Sequence, residues 1–302
     1  MRRLVLVVAA ALAAIFVAAL DLSGPASAAS TDPGSQAQPL RDPSGRPVTA
    51  GSTSQPTSHQ QGPKTRPTAP NAITAAGSGC TFTSSSHYYC HAGAYQNVTS
   101  DGAYMSTPVQ QPAVGASDHS LAELAVESGD GKQIIEIGWR IYGPDGPAPR
   151  LFIYHWVNGV GTCYNTGCGY VSNSSTITPG MTLTPSSTPV QFAIEYFSGN
   201  WWYGYNGTWF GYLPGSIWSG TFTKAGLVQP FGEVSSPSTR PCTDMGNGVI
   251  GTSASAVSVT GVGLFNSTSA INLAKSAPED STLYDSAITS TSSFRYGGPG
   301  AC

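Results

Sequence analysis

Glycine and proline interrupt this sequence at such short intervals that long helices have little room to form. The 302 residues include 36 glycines and 23 prolines, and both residue types disfavour the interior of a helix. Between them lie short runs rich in aromatic and β-branched residues, which are typical of strands bounded by turns. The predicted strands are 133–141, 150–157, 190–197, 200–212, 226–234 and 256–265.

Segment 121–127 has the Ala, Leu and Glu content of a helix, but a Gly-Asp-Gly turn signal at 129–131 follows it directly. A strand that forms a hairpin with 133–141 is therefore the better prediction. Many short strands without a clear helix predict an all-β fold, namely an antiparallel β-sandwich of two packed, jelly-roll-like sheets.

The N-terminus has the pattern of a secretory signal peptide. Two arginines precede an apolar run at 4–20, and Ala-Ser-Ala follows at 26–28 as a small-residue cleavage site, which assigns 1–28 to the signal. A membrane anchor is the alternative, but the apolar run is short and Asp21 interrupts it. We therefore expect a secreted, extracellular protein without stable membrane association.

Residues 29–76 are rich in Ser, Thr and Pro and show no apolar periodicity, which predicts a disordered linker or a removable pro-segment. The folded domain is then expected at 77–302. This region holds seven basic and 13 acidic residues, so its formal charge of −6 argues against a nucleic-acid partner. An acidic domain of this kind suits an exported protein that works at low pH, where protonation reduces self-repulsion.

All six cysteines lie in the expected domain, and an even number in an exported chain predicts disulfides. The neighbouring His87, Cys90 and His91 could suggest a metal site, but an oxidised Cys90 leaves too few ligands, so no metal is expected. Spacing favours three pairs: Cys80 with Cys90, Cys163 with Cys168, and Cys242 with Cys302.

The strand at 133–141 carries a carboxylate on its polar face. Side chains alternate along a strand, so apolar residues at 135, 137, 139 and 141 share one face, and Glu136 shares the other with Gly138 and Arg140. Glu136 is therefore expected to point into a solvated groove or a concave site, where Gly138 leaves the backbone bare for a ligand.

Glu136, Glu195 and Glu233 are the carboxylates in apolar strand settings. When two carboxyls lie close together, the charge of one raises the pKa of the other. One of them can then act as an acid and the other as a base at the same pH. The residues alone do not say which of the three are neighbours. Acidic residues in polar, turn-like sequence are expected to be solvated: Asp130, Asp145, Glu279, Asp280 and Asp285.

Aromatic residues cluster at 201–212, where core packing and a groove for proline or sugar rings are both open readings. A Gly-rich sequence at 246–251 matches the dinucleotide fingerprint but lacks the βαβ context, and the chain has no Gly-x-Ser-x-Gly elbow. The candidates for a substrate groove are Trp139, Tyr170, Trp201, Trp202 and Tyr205.

An ordered set of motifs resembles the neprosin family over roughly residues 85–302. The motifs are IEIGW at 135–139, RLF at 150–152, TCYN at 162–165, CGYV at 168–171, GNWW at 199–202, GYLP at 211–214, GEV at 232–234 and TDMGNG at 243–248. Neprosins are secreted glutamic peptidases that cut after proline in acid. This chain differs from plant members in carrying Pro230-Phe231 before the second Gly-Glu, and in carrying Leu213 for a usual Trp.

The resemblance implies a sandwich whose groove on one sheet holds Glu136 and Glu233 as the catalytic pair, with Glu195 in a structural or supporting place. The ionised glutamate would activate water, and the protonated one would stabilise the oxyanion and help protonate the leaving nitrogen. A monomeric endopeptidase acting on peptide or protein substrates without a cofactor is expected. The alternatives are a non-catalytic carbohydrate- or wall-binding sandwich, with Trp201 and Trp202 in its groove, and a two-carboxylate glycosidase.

Overall fold

The computed structural model describes residues 41–47, 79–82 and 87–302. The predicted signal peptide and most of the predicted pro-segment lie outside these residues. Residues 41–47 form a turn in which the Asp42 carboxylate accepts hydrogen bonds from the backbone N–H groups of Ser44 and Arg46. In the described part of the chain, no helix is long and apolar enough to cross a membrane.

Almost all regular structure in the described residues is β-strand, as the spacing of turn residues predicts. Two short 3₁₀ helices, Gly143–Asp145 and Gly215–Trp218, follow strands β5 and β11 of the list below. The strands are β1 Thr81–Phe82, β2 Tyr88–Ser100, β3 Gly102–Pro108, β4 His119–Glu127, β5 Ile134–Tyr142, β6 Arg150–Val157, β7 Val160–Gly161, β8 Val171–Ser172, β9 Pro189–Phe197, β10 Asn200–Tyr205, β11 Thr208–Pro214, β12 Ala225–Ser236, β13 Ser258–Phe265, β14 Ala274–Lys275, β15 Asp285–Ser290 and β16 Ser293–Gly297.

The strands form two antiparallel sheets, which confirms the predicted sandwich class. The front sheet has the order β1-β2-β12-β4-β5-β6-β7, with β14 also paired to β2, and the back sheet has the order β15-β16-β13-β3-β9-β10-β11-β8. The hairpin of β4 with β5 is confirmed, so the helical alternative for 121–127 is wrong. The front sheet also pairs strands that are distant in sequence, because β12 lies between β2 and β4.

The predicted single strand at 200–212 is instead a hairpin of β10 and β11. Asn206 and Gly207 form its tight turn, with φ angles of 46° and 80°. Both values lie in the left-handed region, which Asn and Gly adopt at low cost in two-residue hairpins. The Asn-Gly signal was present in the sequence, but the aromatic residues on both sides obscured it.

The core lies between the sheets and is filled from the inner face of each. Ile135, Ile137 and Trp139 of β5 are fully buried there, opposite back-sheet residues such as Phe192 and Ile194. The alternation predicted for 133–141 is therefore confirmed. Because side chains alternate along β5, Glu136 lies on the outer face of the front sheet and points away from the core.

Three disulfides have the predicted pairing: Cys80–Cys90, Cys163–Cys168 and Cys242–Cys302. The third closes the largest loop, with a sequence separation of 60, and it ties the C-terminal residue to the domain. The second spans only five positions and shapes a local loop.

Candidate active site

The outer face of the front sheet carries Glu136 on β5 and Glu233 on β12, with β4 between them. Glu136 is paired with Ala125 of β4, and Glu233 with Leu121 of the same strand. Residues 121 and 125 are an even number of positions apart, so both glutamates project from the same face. Glu123 of β4 also projects from this face, midway between the two pairing positions.

Both glutamates are fully buried, at 0% exposure, so the solvated groove expected for Glu136 is wrong, although Glu136 does point away from the core as predicted. Large apolar groups share the outer face with them. Tyr154, Trp156 and Phe231 form a cluster there, and the half-buried Tyr164 packs against it. The surroundings of the carboxyls are therefore apolar except where specific donors reach them.

Two histidines donate hydrogen bonds to Glu233. His91 of β2 lies beside Glu233 in the sheet register, and its Nε2 is 2.9 Å from Glu233 Oε2. His119 of β4 lies two positions from Leu121, and its Nε2 is 2.6 Å from Glu233 Oε1. Each carboxylate oxygen thus has its own imidazole partner.

His119 is held as a neutral donor. Burial lowers its pKa to about 4, and the positive charge of Arg140 acts in the same direction. The Arg140 guanidinium donates toward His119 Nδ1 across 3.4 Å, which makes Nδ1 the acceptor. The proton of the neutral ring therefore lies on Nε2, where it is donated to Glu233.

His91 is instead held as an imidazolium between two carboxylates. Its Nδ1 donates to Glu279 Oε1 at 2.7 Å, and its backbone N–H donates to Glu279 Oε2 at 2.6 Å. Burial alone would lower the pKa of His91, but the charges of Glu279 and Glu233 and the hydrogen bonds to both outweigh it and raise the pKa to about 10. The expectation that Glu279 is solvated is wrong, because it is 5% exposed and holds His91.

Two further acidic residues of the same C-terminal region are also buried rather than solvated. Asp280 accepts hydrogen bonds from the Gly79 backbone and from Arg240, and Asp285 forms an ion pair with Lys275. Turn-like polar sequence in this region therefore does not mean exposure, because partners distant in sequence fold over it.

The two glutamates have opposite proton affinities. Burial would raise the pKa of Glu233, but the hydrogen bonds from His119 and His91 and the positive charge of His91 lower it to about 2. Burial raises the pKa of Glu136 well above its usual range, and the charge of Glu233 adds to this effect. Trp156 Nε1 donates to Glu136 Oε1 at 2.9 Å, while Oε2 has no hydrogen-bond partner among the described residues. Glu233 is therefore the ionised member and Glu136 the protonated member.

The disulfide loop 163–168 contributes Tyr164 to the same face. Tyr164 stacks on Phe152 with ring centroids 6.0 Å apart, and the Arg140 guanidinium lies 5.2 Å from the Tyr164 ring centroid. Asn165 anchors the loop to β6, since its side-chain oxygen accepts from the Ile153 N–H at 3.2 Å. The loop therefore supports Arg140, which in turn orients His119.

Replacing both Cys163 and Cys168 with serine is expected to lower the free energy of unfolding by about 2 kcal/mol, as the chain-entropy model gives for so short a loop. We expect the activity to fall as well, because Tyr164 loses a fixed position. Urea unfolding followed by tryptophan fluorescence measures the first effect. Serine replacement of Cys242 and Cys302 is the comparison, and it should cost more stability because its loop is longer; an equal loss would contradict the loop-length argument.

The proposed groove aromatics mostly lie elsewhere. Trp139, Tyr170 and Trp201 are packed in the core between the sheets, and Tyr205 packs partly against the same core. Trp202 lies in the back sheet, where it is fully buried against Tyr212. The aromatic side chains on the same sheet face as the glutamates are Tyr154 and Trp156 of β6 and Phe231 of β12. None of these residues was among the predicted groove aromatics.

Glu195 lies on β9 of the back sheet, where it is paired with Trp202 and Gly102. Its neighbour Ile194 faces the core, so Glu195 faces away from the front sheet. Burial and the charge of Asp101 raise its pKa to about 7. Glu195 therefore does not contact the two glutamates. Of the structural and supporting roles that were expected for it, the structure is compatible with the structural one.

Sequence reasoning did not place four residues in this site: His91, His119, Glu123 and Glu279. His91 was considered only as a metal ligand, and Glu279 only as a solvated residue. A signal existed for two of them, because His119 and Glu123 alternate with apolar residues in segment 119–127 in the same way as Glu136 does in its strand. Glu279 gave no such signal, since it reaches His91 from a loop 188 positions away.

Fold and site together define a β-sandwich protein with an unequal pair of buried carboxyls on one face of one sheet. The neprosin family model matches residues 116–299, which is more than half of the chain. The chain therefore belongs to the neprosin family. This membership supports a peptidase of the glutamic type.

Solved structures with similar folds include two peptidases. Scytalido-glutamic peptidase with a transition-state analogue inhibitor shares 13% identity over 69% of this chain and 97% of that chain, with a TM-score of 0.41. SCP-B, a member of the Eqolisin family of peptidases in complex with the tripeptide Ala-Ile-His, shares 14% identity over 69% and 97%, with a TM-score of 0.40. Apo Crh5 transglycosylase matches 45% of this chain and 48% of its own at 17% identity and a TM-score of 0.29. These low scores and identities carry no information about the reaction of this chain.

Proposed function

We propose that this protein is a secreted glutamic endopeptidase that hydrolyses peptide bonds in acid, with Glu136 and Glu233 as the catalytic pair and a preference for proline before the cut. The observation that supports the pair is the unequal hydrogen bonding of its two carboxyls. Glu233 is kept ionised by two imidazole donors, while Glu136, which lies across β4 on the same sheet face, is buried with one donor and no second one. One base and one acid are therefore available at the same pH.

In the proposed reaction, the Glu233 carboxylate removes a proton from a water molecule as the water oxygen attacks the peptide carbonyl. The protonated Glu136 donates a hydrogen bond to the oxyanion that develops on the carbonyl oxygen. When the C–N bond breaks, Glu233 transfers its new proton to the leaving nitrogen and returns to the ionised form. Glu136 keeps its proton throughout, and the cycle closes without a covalent intermediate.

The pKa directions set the shape of the pH profile. Activity requires ionised Glu233, whose pKa is about 2, so the acid limb is expected near that pH. Activity also requires protonated Glu136, so the alkaline limb follows the loss of its proton, at a pH above the usual range for glutamate. The pair thus supports a working range that begins in strong acid.

Aromatic side chains beside the pair support the preference for proline. Phe231 is two positions from Glu233 on the same strand face, and Tyr154 is paired with Glu136 in the register. Together with Trp156 they form the apolar cluster of this face. Flat aromatic walls pack well against a pyrrolidine ring. The carbohydrate-binding alternative needs Trp201 and Trp202 beside the glutamates, and both lie in the back sheet.

Mapping of cut sites tests this function directly. The purified domain is incubated with a denatured, unrelated protein from about pH 2.5 to 7, and mass spectrometry identifies every new terminus. We expect cuts after proline that are already present at the acidic end of this range. The Glu233→Gln variant, purified in the same way, controls for contaminating peptidases. Cuts that show no preference for proline would refute the specificity, and a folded wild-type domain that cuts nothing at any pH would refute the function.

A further inference from the structure

Gln229 lies directly across β4 from Glu136 on the outer face of the front sheet. Ala125 of β4 is the register partner of both residues, of Gln229 on β12 and of Glu136 on β5. Gln229 is also four positions from Glu233 on the same strand, and an even separation keeps both side chains on one face. The small Ala125 side chain is therefore the floor of a gap between the Gln229 carboxamide and the Glu136 carboxyl.

The Gln229 carboxamide is buried with an unpartnered oxygen atom. The residue is 2% exposed, and its Oε1 has no hydrogen-bond partner among the described residues. Ring N–H groups on this face already donate to the two glutamates: His91, His119 and Trp156. A buried acceptor without a donor is costly, which indicates that this atom binds a donor group of a ligand.

The two groups that flank Ala125 match the two sides of a trans peptide bond. The C=O and the N–H of such a bond point in opposite directions. Glu136 Oε2 has no hydrogen-bond partner in the described part of the chain, and in its protonated form it can donate to a carbonyl oxygen. Gln229 Oε1 can accept from the N–H on the opposite side of the bond.

The spacing of the strands fits a peptide bond held in this way. Two successive pairs in an antiparallel sheet place the Cα atoms of Gln229 and Glu136 about 10 Å apart. A peptide bond with one hydrogen bond on each side needs about 8 Å between the two side-chain oxygen atoms. Side chains stand roughly perpendicular to a sheet, so a small lean of these two towards each other is sufficient.

We propose that Gln229 is a substrate-binding residue that accepts a hydrogen bond from the N–H of the scissile peptide bond, while Glu136 binds the carbonyl oxygen of the same bond. The inference rests on the proposed function and deepens it. The scissile nitrogen keeps its own hydrogen, and the proton that completes the leaving amine comes from Glu233. Because an amide does not titrate, Gln229 stays an acceptor in acid, where a carboxylate in its place would be protonated.

This contact restricts the residue that follows the cut. Proline and N-methylated residues have no N–H, so Gln229 Oε1 stays unpartnered in a complex with either. A site that hydrogen-bonds a substrate N–H rejects an analogue that lacks it, because the buried polar group of the site is left unpaired. The bond between two prolines is therefore expected to be a poor substrate, although proline before the cut is preferred.

Peptide binding to a catalytically inactive background tests the inference. An acetylated and amidated peptide with one proline is titrated into the Glu233→Gln protein at acidic pH, and each other residue of the peptide is N-methylated in turn. We expect N-methylation of the residue after proline to raise Kd about tenfold. The double variant with Gln229→Met should bind the unmodified peptide about tenfold more weakly, and the same N-methylation should then cause no further loss.

Stability separates this role from a structural one. Methionine keeps the length of glutamine and removes the unpartnered amide, so Gln229→Met should be at least as stable as its parent. A residue that only supports the fold would lower stability and show no coupling to N-methylation. The matched control is Gln191→Met on β9, which should leave every Kd unchanged. Gln191 faces away from the core, because its neighbour Phe192 lies in the core.

An unchanged Kd after N-methylation of the residue that follows proline overturns the inference, and this measurement needs no substitution at Gln229. Coupling of Gln229 to the N–H of another residue also overturns it, because a different peptide bond would then lie in the gap. If Gln229→Met alters the pH profile of cutting without coupling to any N–H, Gln229 holds the Glu136 proton instead, and the inference fails.

Cutting of the unmodified peptide by the wild type decides the proposed function separately. If the wild type cuts nothing, the proposed function fails, while the Kd values still decide whether Gln229 accepts the peptide N–H. If the wild type cuts and the Kd values show no coupling, the proposed function stands and the inference about Gln229 falls.

Discussion

Replacing Glu233 with glutamine is expected to reduce kcat/KM by about 10⁴-fold, the upper end of the range for loss of a general base. An amide cannot accept the proton of the attacking water at any pH in the working range. It also presents its NH₂ group to one of His91 and His119, both of which are donors, so one of the two hydrogen bonds is lost. Residual cutting is measured with a fluorogenic peptide that contains one proline, at several pH values.

The Glu136→Gln variant separates the two proposed roles. Glutamine keeps an acceptor for the Trp156 N–H and can still donate a hydrogen bond to the oxyanion, so the expected loss is smaller, about 100-fold. Because an amide does not titrate, the alkaline limb should disappear in this variant. Equal losses in the two variants, or an alkaline limb that persists in Glu136→Gln, would contradict the assignment of base and acid. Thermal unfolding of both variants checks that each remains folded.

The β5 strand explains why part of this site could be predicted from sequence. Its alternation of isoleucines with Glu136, Gly138 and Arg140 is local information, and the sheet register preserves it. The disulfide pairs were predictable for a similar reason, because two of them close short loops and the third pair was left over. The sandwich class followed from the same short strands and turns.

The environment of the carboxylates was not predictable, because contacts distant in sequence create it. Glu279 reaches His91 from 188 positions away, and His119 reaches Glu233 from 114 positions away. These partners decide which glutamate is ionised, a question that spacing alone leaves open. The aromatic candidates were misplaced for the opposite reason. Trp201 and Tyr170 were assigned by residue type, while their burial depends on which face of which sheet they occupy.

His91 links the charge state of Glu233 to the stability of the site. It is the cation between Glu279 and Glu233, and both carboxylates are at least 95% buried. Each of these carboxylates would be left with an uncompensated charge if the cation were removed. Removal of one partner from a buried ion pair costs about 3–5 kcal/mol.

The His91→Gln variant is therefore expected to lose about 3–5 kcal/mol in the free energy of unfolding near pH 5.5. A raised histidine pKa contributes stability that is complete below the unfolded value of 6.5 and is lost as the pH rises through about 10. The lowered pKa of Glu233 contributes stability that is complete above 4.5 and is lost as the pH falls through about 2. The difference between wild type and variant should thus be largest between pH 4.5 and 6.5 and shrink on both sides.

Urea unfolding at acid, mildly acid and alkaline pH measures this difference, and His155→Gln is the matched control. His155 is a second buried histidine, but it lies on the core face of β6, and burial lowers its pKa to about 4. Its contribution to stability is therefore lost as the pH falls from 6.5 toward 4, so its variant should differ least from the wild type in acid. Opposite pH trends for the two variants would establish His91 as an imidazolium. A His91→Gln difference that stays constant up to pH 10 would mean that the ring is neutral, and Glu233 would then lack the cation that keeps it ionised.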